Sequence, residues 1–192
     1  MLDQQLRQLL YDDADRMAAL SALRQLSLPD AYIGAGFVRN LVWDHLHGYQ
    51  ATVLNDVDVV YFDPKLRWQD LELETSLTKL IPNLNWQVKN QALMHQKHGD
   101  APYHNTEDAI RRWPELETAI AVRLNDDDDF EILAPFGLSS LFAGQLTPNP
   151  AREYQLFLNR VRTKNWLTHW PRLSLVEAQQ GDINPTVPKQ NA

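Results

Sequence analysis

NDVDVVY, residues 55–61, decides how this chain is read. Its valines mark a strand, because β-branched side chains suit the pleated, half-buried surface of a sheet. In a strand, residues i and i+2 point to one face. Asp56 and Asp58 therefore stand side by side at the strand's start, while Val57 and Val59 face the other way. Two adjacent carboxylates repel, and burying them is costly unless a cation neutralises them. Mg²⁺ suits such a pair, since it takes one or two carboxylates and fills its shell with water and phosphate oxygens. Mn²⁺ is the alternative ion. Metal ions so held can activate a nucleophile and stabilise a leaving pyrophosphate. An Asp-x-Asp on its own reads first as a solvated strand start with both acids exposed, so its surroundings carry the weight.

Twenty residues upstream lies YIGAGFVRN, residues 32–40. Apolar residues run into a small-residue turn, Gly34-Ala35-Gly36, and then into a helix carrying Arg39 and Asn40. Such a turn lets backbone approach a phosphate, and a helix N-terminus favours an anion. Alone it reads as a tight turn packed on the sheet. A phosphate cradle followed by a carboxylate pair makes a two-part site.

Outward from these two segments, strands and helices interleave. Helical spacing of Leu2, Leu6, Leu9, Leu10, Met17, Leu20 and Leu23 predicts one helix over residues 2–26. The turn at 34–36 leads into a helix over 37–48, closed by Gly48. A helix is expected over 68–80, and a third strand begins at 85 and runs into a polar segment by 93. Asn105 caps a helix over 106–113. Residues 117–124 and 130–133 read as a hairpin across the acidic run Asp126 to Asp129, taken as a solvated turn. Helices follow over 136–144 and 150–166. The order predicts an α/β or α+β chain with a mixed sheet flanked by helices. One domain is expected over 1–176, with a flexible tail over 177–192, where Gln, Gly, Pro and Asn take over.

Composition excludes several classes. Hydrophobic residues make up 44% and charged residues 22% of the 192, so the chain as a whole is not disordered. No cysteine is present, which removes disulfides, zinc–thiolate sites and thiol nucleophiles. No apolar run reaches the length of a transmembrane helix, and MLDQQLRQLLYDD is no secretory signal, so a cytoplasmic protein is expected. A net charge of −7 makes a poor general nucleic-acid binder, because such affinity rests on Lys and Arg neutralising phosphates.

Together, Ala35-Gly36-Phe37-Val38-Arg39-Asn40-Leu41 and Asp56-Val57-Asp58-Val59-Val60 resemble the nucleotidyltransferase superfamily. The first is similar to the Gly-Gly-x-Val-Arg-Asp-Leu opening of CCA-adding enzymes, and the second to their metal-binding strand. More closely, the chain resembles a family of small bacterial nucleotidyltransferase-like proteins. The segments GAGFVRNLVWD (34–44), NDVDVVYFD (55–63), WQVKNQALMH (86–95), RWPE (112–115), APFGLSSLF (134–142), TPNP (147–150) and KNWLTHWPRL (164–173) carry that likeness.

The resemblance implies a nucleotidyltransferase fold and a magnesium-dependent transferase. A nucleoside monophosphate would pass from an NTP to an unidentified hydroxyl acceptor, a small molecule or protein rather than nucleic acid. Asp56 and Asp58 would be catalytic and hold the metal. Gly34, Gly36, Arg39, Asn40, Lys89 and Asn90 would be the nucleotide-binding residues. Two departures stand out. Ala35 replaces the first glycine of the pair, and the strand before Asn90 offers Gln87 and Lys89 where the superfamily carries a third carboxylate. Asp63 and Glu131 are the remaining acids for that role. The alternative is a nucleotide-binding or regulatory module of the same fold without transfer. A phosphatase using Asp56 as nucleophile fits less well, because a glycine turn and helix precede the strand.

Lesser signals have plainer readings. His95 and His98 read as surface histidines, since no carboxylate joins them at ligand spacing. Trp113 with Arg111 and Arg112 could stack a base, but reads more simply as a packing anchor.

Overall fold

The computed structural model describes residues 1–177. The chain opens with α1 (Leu2–Tyr11) and α2 (Ala14–Gln25), then β1 (Tyr32–Gly34), α3 (Gly36–His47), β2 (Asp56–Tyr61), α4 (Asp70–Leu80) and β3 (Asn85–Asn90). A 3₁₀ turn at Gln91–Leu93 leads to α5 (Met94–His98) and α6 (Thr106–Ile110). The hairpin β4 (Ala121–Leu124) and β5 (Phe130–Leu133) follows. The C-terminal part holds α7 (Ser139–Phe142), β6 (Gln145–Leu146), α8 (Tyr154–Thr163), α9 (Trp166–His169) and β7 (Ser174–Leu175). The tail expected over 177–192 lies, apart from Glu177, outside the described residues.

Five strands form one mixed sheet in the order β3-β2-β1-β4-β5. β2 and β3 pair in parallel, joined by the crossover helix α4, and the other pairs are antiparallel. Ile33, Val57, Val59, Val88 and Val122 point to one face and build the main core with α1–α4 and the C-terminal helices. The opposite face carries a smaller cluster of Tyr32, Val60, Ile110 and Ala121, with Trp113 and Leu133 packed on it. Alternation along β2 thus puts Asp56, Asp58 and Val60 on this second face.

The single helix expected over 2–26 is two helices. Asp13 breaks it and caps α2, its carboxylate accepting the Arg16 amide at 2.9 Å. Aspartate disfavours a helix interior and favours an N-cap, and that local preference wins over the continuous leucine spacing. The helix expected over 150–166 is shorter, covering only Tyr154–Thr163. Asn165 takes a left-handed conformation (φ 52°), turning the chain between α8 and α9. The hairpin forms, but its first strand, expected over 117–124, covers only Ala121–Leu124, and its acidic turn is more than solvated. Arg7 of α1 donates to Asp129 at 2.7 Å, and Arg24 of α2 pairs with Asp128. Among the described residues no helix is long and apolar enough to cross a membrane.

Candidate functional site

The start of β2 presents its two carboxylates on the edge of a cleft of about 660 Å³. Asp56 is exposed and Asp58 half-buried. Burial, and then the neighbouring Asp56 charge, push the Asp58 carboxyl above its usual range, while the charges of Arg39, Lys164 and Arg160 pull against that. Parallel pairing sets Asn85 beside Asp56 and Gln87 beside Asp58. Asn85 Nδ2 donates to Asp56 Oδ1 at 2.6 Å. The neighbouring strand therefore offers amides where acids would add charge. This donor set fits one hard cation. Two carboxylates that repel each other gain from its charge, and its other positions fall to water and phosphate oxygens. Among the described residues no group of three or more His, Asp or Glu side chains is placed to hold a metal.

Beside the pair stands the turn between β1 and α3. Continuing the register of β1 on β2 sets Gly34 next to Asp58. Gly34 is not among the residues that line the cleft. A Cβ there would meet the Ile120 carbonyl at 3.0 Å, Ala121 Cβ at 3.1 Å and the Trp113 ring at 3.3 Å, so packing alone accounts for a glycine at this position. The strain of the turn falls on Ala35, at φ 55° and ψ −123°, a conformation L side chains rarely adopt. Gly36 lines the cleft, and a Cβ there would come no closer than 3.4 Å to any neighbour, the Asn40 amide.

Arg39 and Asn40 both line the cleft from the first turns of α3. Arg39 is buried, lying over Trp43 and Trp166 with its guanidinium carbon 4.9 and 4.4 Å from the ring centroids. It donates to Thr118 Oγ1 at 2.7 Å and to Asn40 Oδ1 at 3.0 Å, while its Nε has no partner among the described residues. Burial pulls the Arg39 guanidinium down to about 10, far enough above neutrality to keep it charged. The result is a fixed cation behind the glycine turn.

β3 separates two residues that its sequence places together. Lys89 shares the cleft face with Asp58, and its ammonium lies 3.7 Å from both Asp70 and Glu74. Asn90 points to the opposite face. Its amide oxygen accepts from Asp63 and Ala92 N–H, and its Nδ2 donates to the Asp63 carbonyl, so it braces the strand end and does not reach the cleft.

Neither remaining acid supplies a third carboxylate. Asp63 lies beyond the far end of β2, roughly 16 Å along the strand from Asp58, where it accepts the Lys65 and Arg67 amides. Glu131 sits three strands away, about 14 Å across the sheet, paired with Arg123. His98 is exposed at the cleft rim, and half-buried His95 bonds the Ala92 carbonyl through Nδ1 at 2.9 Å. Trp113 both packs on the smaller cluster and lines the cleft. Buried Asn149 fixes it, donating to the Arg111 and Trp113 carbonyls at 2.8 and 2.7 Å.

Another wall of the cleft comes from α8 and α9. Arg160, Lys164, Trp166 and His169 line it. Arg160 is anchored by Glu115, with Nε donating at 2.6 Å. Trp170 Nε1 donates to buried Asp44 of α3 at 2.8 Å, and the other Asp44 oxygen accepts the Thr52 amide at 2.7 Å. One carboxylate thus ties the C-terminal helices to the loop that leads into β2. The only signal for this wall was the segment KNWLTHWPRL, more than a hundred residues from Asp58.

The nucleotidyltransferase family matches over residues 21–175. A structure determined by NMR and described as a CCA-adding enzyme head domain is 34% identical, with a TM-score of 0.81 over 91% of this chain and 96% of that one. The Thermotoga maritima CCA-adding enzyme complexed with tRNA is 16% identical, with a TM-score of 0.59 over 91% of this chain and 43% of its own. A CCA-adding enzyme in complex with CTP is likewise 16% identical, with a TM-score of 0.55 over 88% of this chain and 43% of its own. These two share the fold, and this chain spans less than half of their length. No match is found among curated proteins.

Proposed function

This chain belongs to the nucleotidyltransferase family, and from that premise we propose that it transfers a nucleoside monophosphate from an NTP to a hydroxyl acceptor. One observation carries the reading. Asp56 and Asp58 stand on one strand face at the edge of a cleft that the neighbouring glycine turn, backed by Arg39, also lines. Mg²⁺ or Mn²⁺ held by the pair would neutralise phosphate oxygens and polarise the bond to be broken. Gly36 leaves the backbone open to the triphosphate, and Arg39, Asn40 and Lys89 supply fixed donors around it. The acceptor oxygen bonds to the α-phosphorus, the bond to the β-phosphate oxygen breaks, pyrophosphate leaves and the hydroxyl proton goes to water.

A small molecule or a protein suits the acceptor role better than nucleic acid, given a net charge of −7. The RNA partner of the longer CCA-adding enzymes is not carried over to a chain that spans under half of them.

The test is calorimetric titration of each NTP, with and without Mg²⁺, into the wild type and into Asp56→Asn/Asp58→Asn, followed by assays of pyrophosphate release. Binding that needs both Mg²⁺ and the carboxylates supports the site. Equal binding by the double variant removes it.

The amides of Asn85 and Gln87 beside the two carboxylates favour a second reading, a module that binds NTP with one cation and does not transfer. Binding without pyrophosphate release, together with release gained in Gln87→Glu, would favour it over the first.

A further inference from the structure

Six cations line the cleft, and five are already answered by the protein. Arg16 pairs with Asp13, Arg152 with Asp100, Arg160 with Glu115, and Lys89 with Asp70 and Glu74. Arg39 has no carboxylate, but two indole faces, Thr118 and Asn40 hold it. Lys164 is the exception. It is exposed, lines the cleft, and has no carboxylate within 4.0 Å among the described residues.

The root of Lys164 is nonetheless fixed. Its amide bonds the Arg160 carbonyl at 2.9 Å, and Arg160 itself is clamped to buried Glu115. Two residues on, Trp166 is buried edge-on to Trp43, with ring centroids 5.7 Å apart. Between them the left-handed Asn165 sets the direction of the turn. A flexible ammonium is thus carried on a rigid corner, on the same cleft as the carboxylate pair. In a chain with 25 acids and 18 Lys and Arg, a cation left without an acid on a cleft wall is poised for an anion that arrives from solution.

We propose that Lys164 is a polyphosphate ligand of this site, its ammonium contacting non-bridging oxygens of the NTP's phosphate chain from the α8–α9 side of the cleft that Asp56 and Asp58 also line. The inference rests on the nucleotidyltransferase reading for its ligand class. It adds a residue that neither the carboxylate strand nor the glycine turn contains. The C-terminal helices then serve the site directly, because they bring the cation that the acidic pair cannot provide.

Inorganic tripolyphosphate with Mg²⁺ is the probe, since it carries the phosphate chain without base or ribose. Calorimetry compares the wild type, Lys164→Ala and Lys164→Arg, with each NTP titrated in parallel and thermal unfolding checked for each variant. The expected result is binding by the wild type, at least about tenfold weaker binding of both tripolyphosphate and NTP by Lys164→Ala, and recovery in Lys164→Arg. Undiminished binding by Lys164→Ala overturns the proposal, and so does a wild type that binds no tripolyphosphate. The Asp56→Asn/Asp58→Asn titration stands apart from this. If it loses Mg²⁺-dependent NTP binding while Lys164→Ala does not, the family reading survives and only the role of Lys164 falls.

Discussion

Two of the chain's acid-x-acid triplets, Asp56-Val57-Asp58 and Glu115-Leu116-Glu117, have opposite fates. The first is in a strand, so both carboxylates share one face and meet at a cleft, with no Lys, Arg or His bonded to them among the described residues. The second lies between α6 and β4, outside any strand, and its acids part company. Glu115 and Glu117 are both fully buried. Glu115 is clamped by Arg160, and Glu117 accepts the Thr147 amide at 2.9 Å. The first pair stays available at a cleft, whereas the carboxyl groups of the second are used in holding the chain together. A carboxylate pair therefore earns a functional reading only when backbone geometry makes the two converge and no protein cation has already answered them.

The largest effect that sharpens this contrast concerns binding. Asp56→Asn/Asp58→Asn is expected to weaken Mg²⁺-dependent NTP binding by more than about 100-fold, with unfolding by urea unchanged or shifted to higher concentration, because a repulsive pair is relieved. A large loss of stability would place this pair with the structural acids instead.

Next in size is Glu115→Ala. It strands Arg160 on α8, which is one-third exposed and partly rescued by water, so a loss of about 2–3 kcal/mol is expected in urea unfolding. An unchanged midpoint would mean that the clamp holds nothing.

Smaller still is Ala35→Gly, on the cleft side. Relief of the positive φ is expected to stabilise the fold by about 1 kcal/mol, read from the same unfolding curves. Destabilisation would show that the turn is not strained.

The smallest effect belongs to Glu117. Burial pushes its carboxyl above the ordinary value of 4.5, although hydrogen bonds from Thr147 resist the shift. The folded state then holds a proton that the unfolded state has lost. The stability contributed by that proton is complete below pH 4.5 and declines as pH rises through the folded value. Glu117→Gln mimics the protonated form. It should unfold at higher urea than the wild type at about pH 8, with the two curves meeting near pH 4. Equal curves at both values would show that Glu117 is charged without cost.

Much of the fold was legible in the chain. The β2 segment, the turn before α3, the Asn105 cap and the hairpin at 121–133 follow from period-two alternation, small residues, capping chemistry and turn composition. Half of the site was legible for the same reason, since Asp56 and Asp58 are two residues apart and Gly36 begins the next helix upstream. The misassignments have their own causes. Gly34 and Asn90 stand next to residues that do line the cleft, but alternation turns Asn90 to the far face, and Trp113 claims the space above Gly34. The division of the first helix was written in Asp12-Asp13, where a strong leucine period masked it.

The sequence by itself determined what is local: which segments are strands and helices, which strand bears the paired carboxylates, and that a glycine turn precedes it. Those properties depend on side-chain alternation and backbone preference over a few residues. Only the tertiary structure decided which polar groups meet. It set Gln87 beside Asp58, separated Asp63 and Glu131 from the pair, and buried Arg39 against two tryptophans. It also brought Lys164 to the cleft from the other end of the chain. Contacts of that kind depend on how the sheet orders its strands and how α8 and α9 pack back on α3, and no spacing along the chain encodes the distance between them.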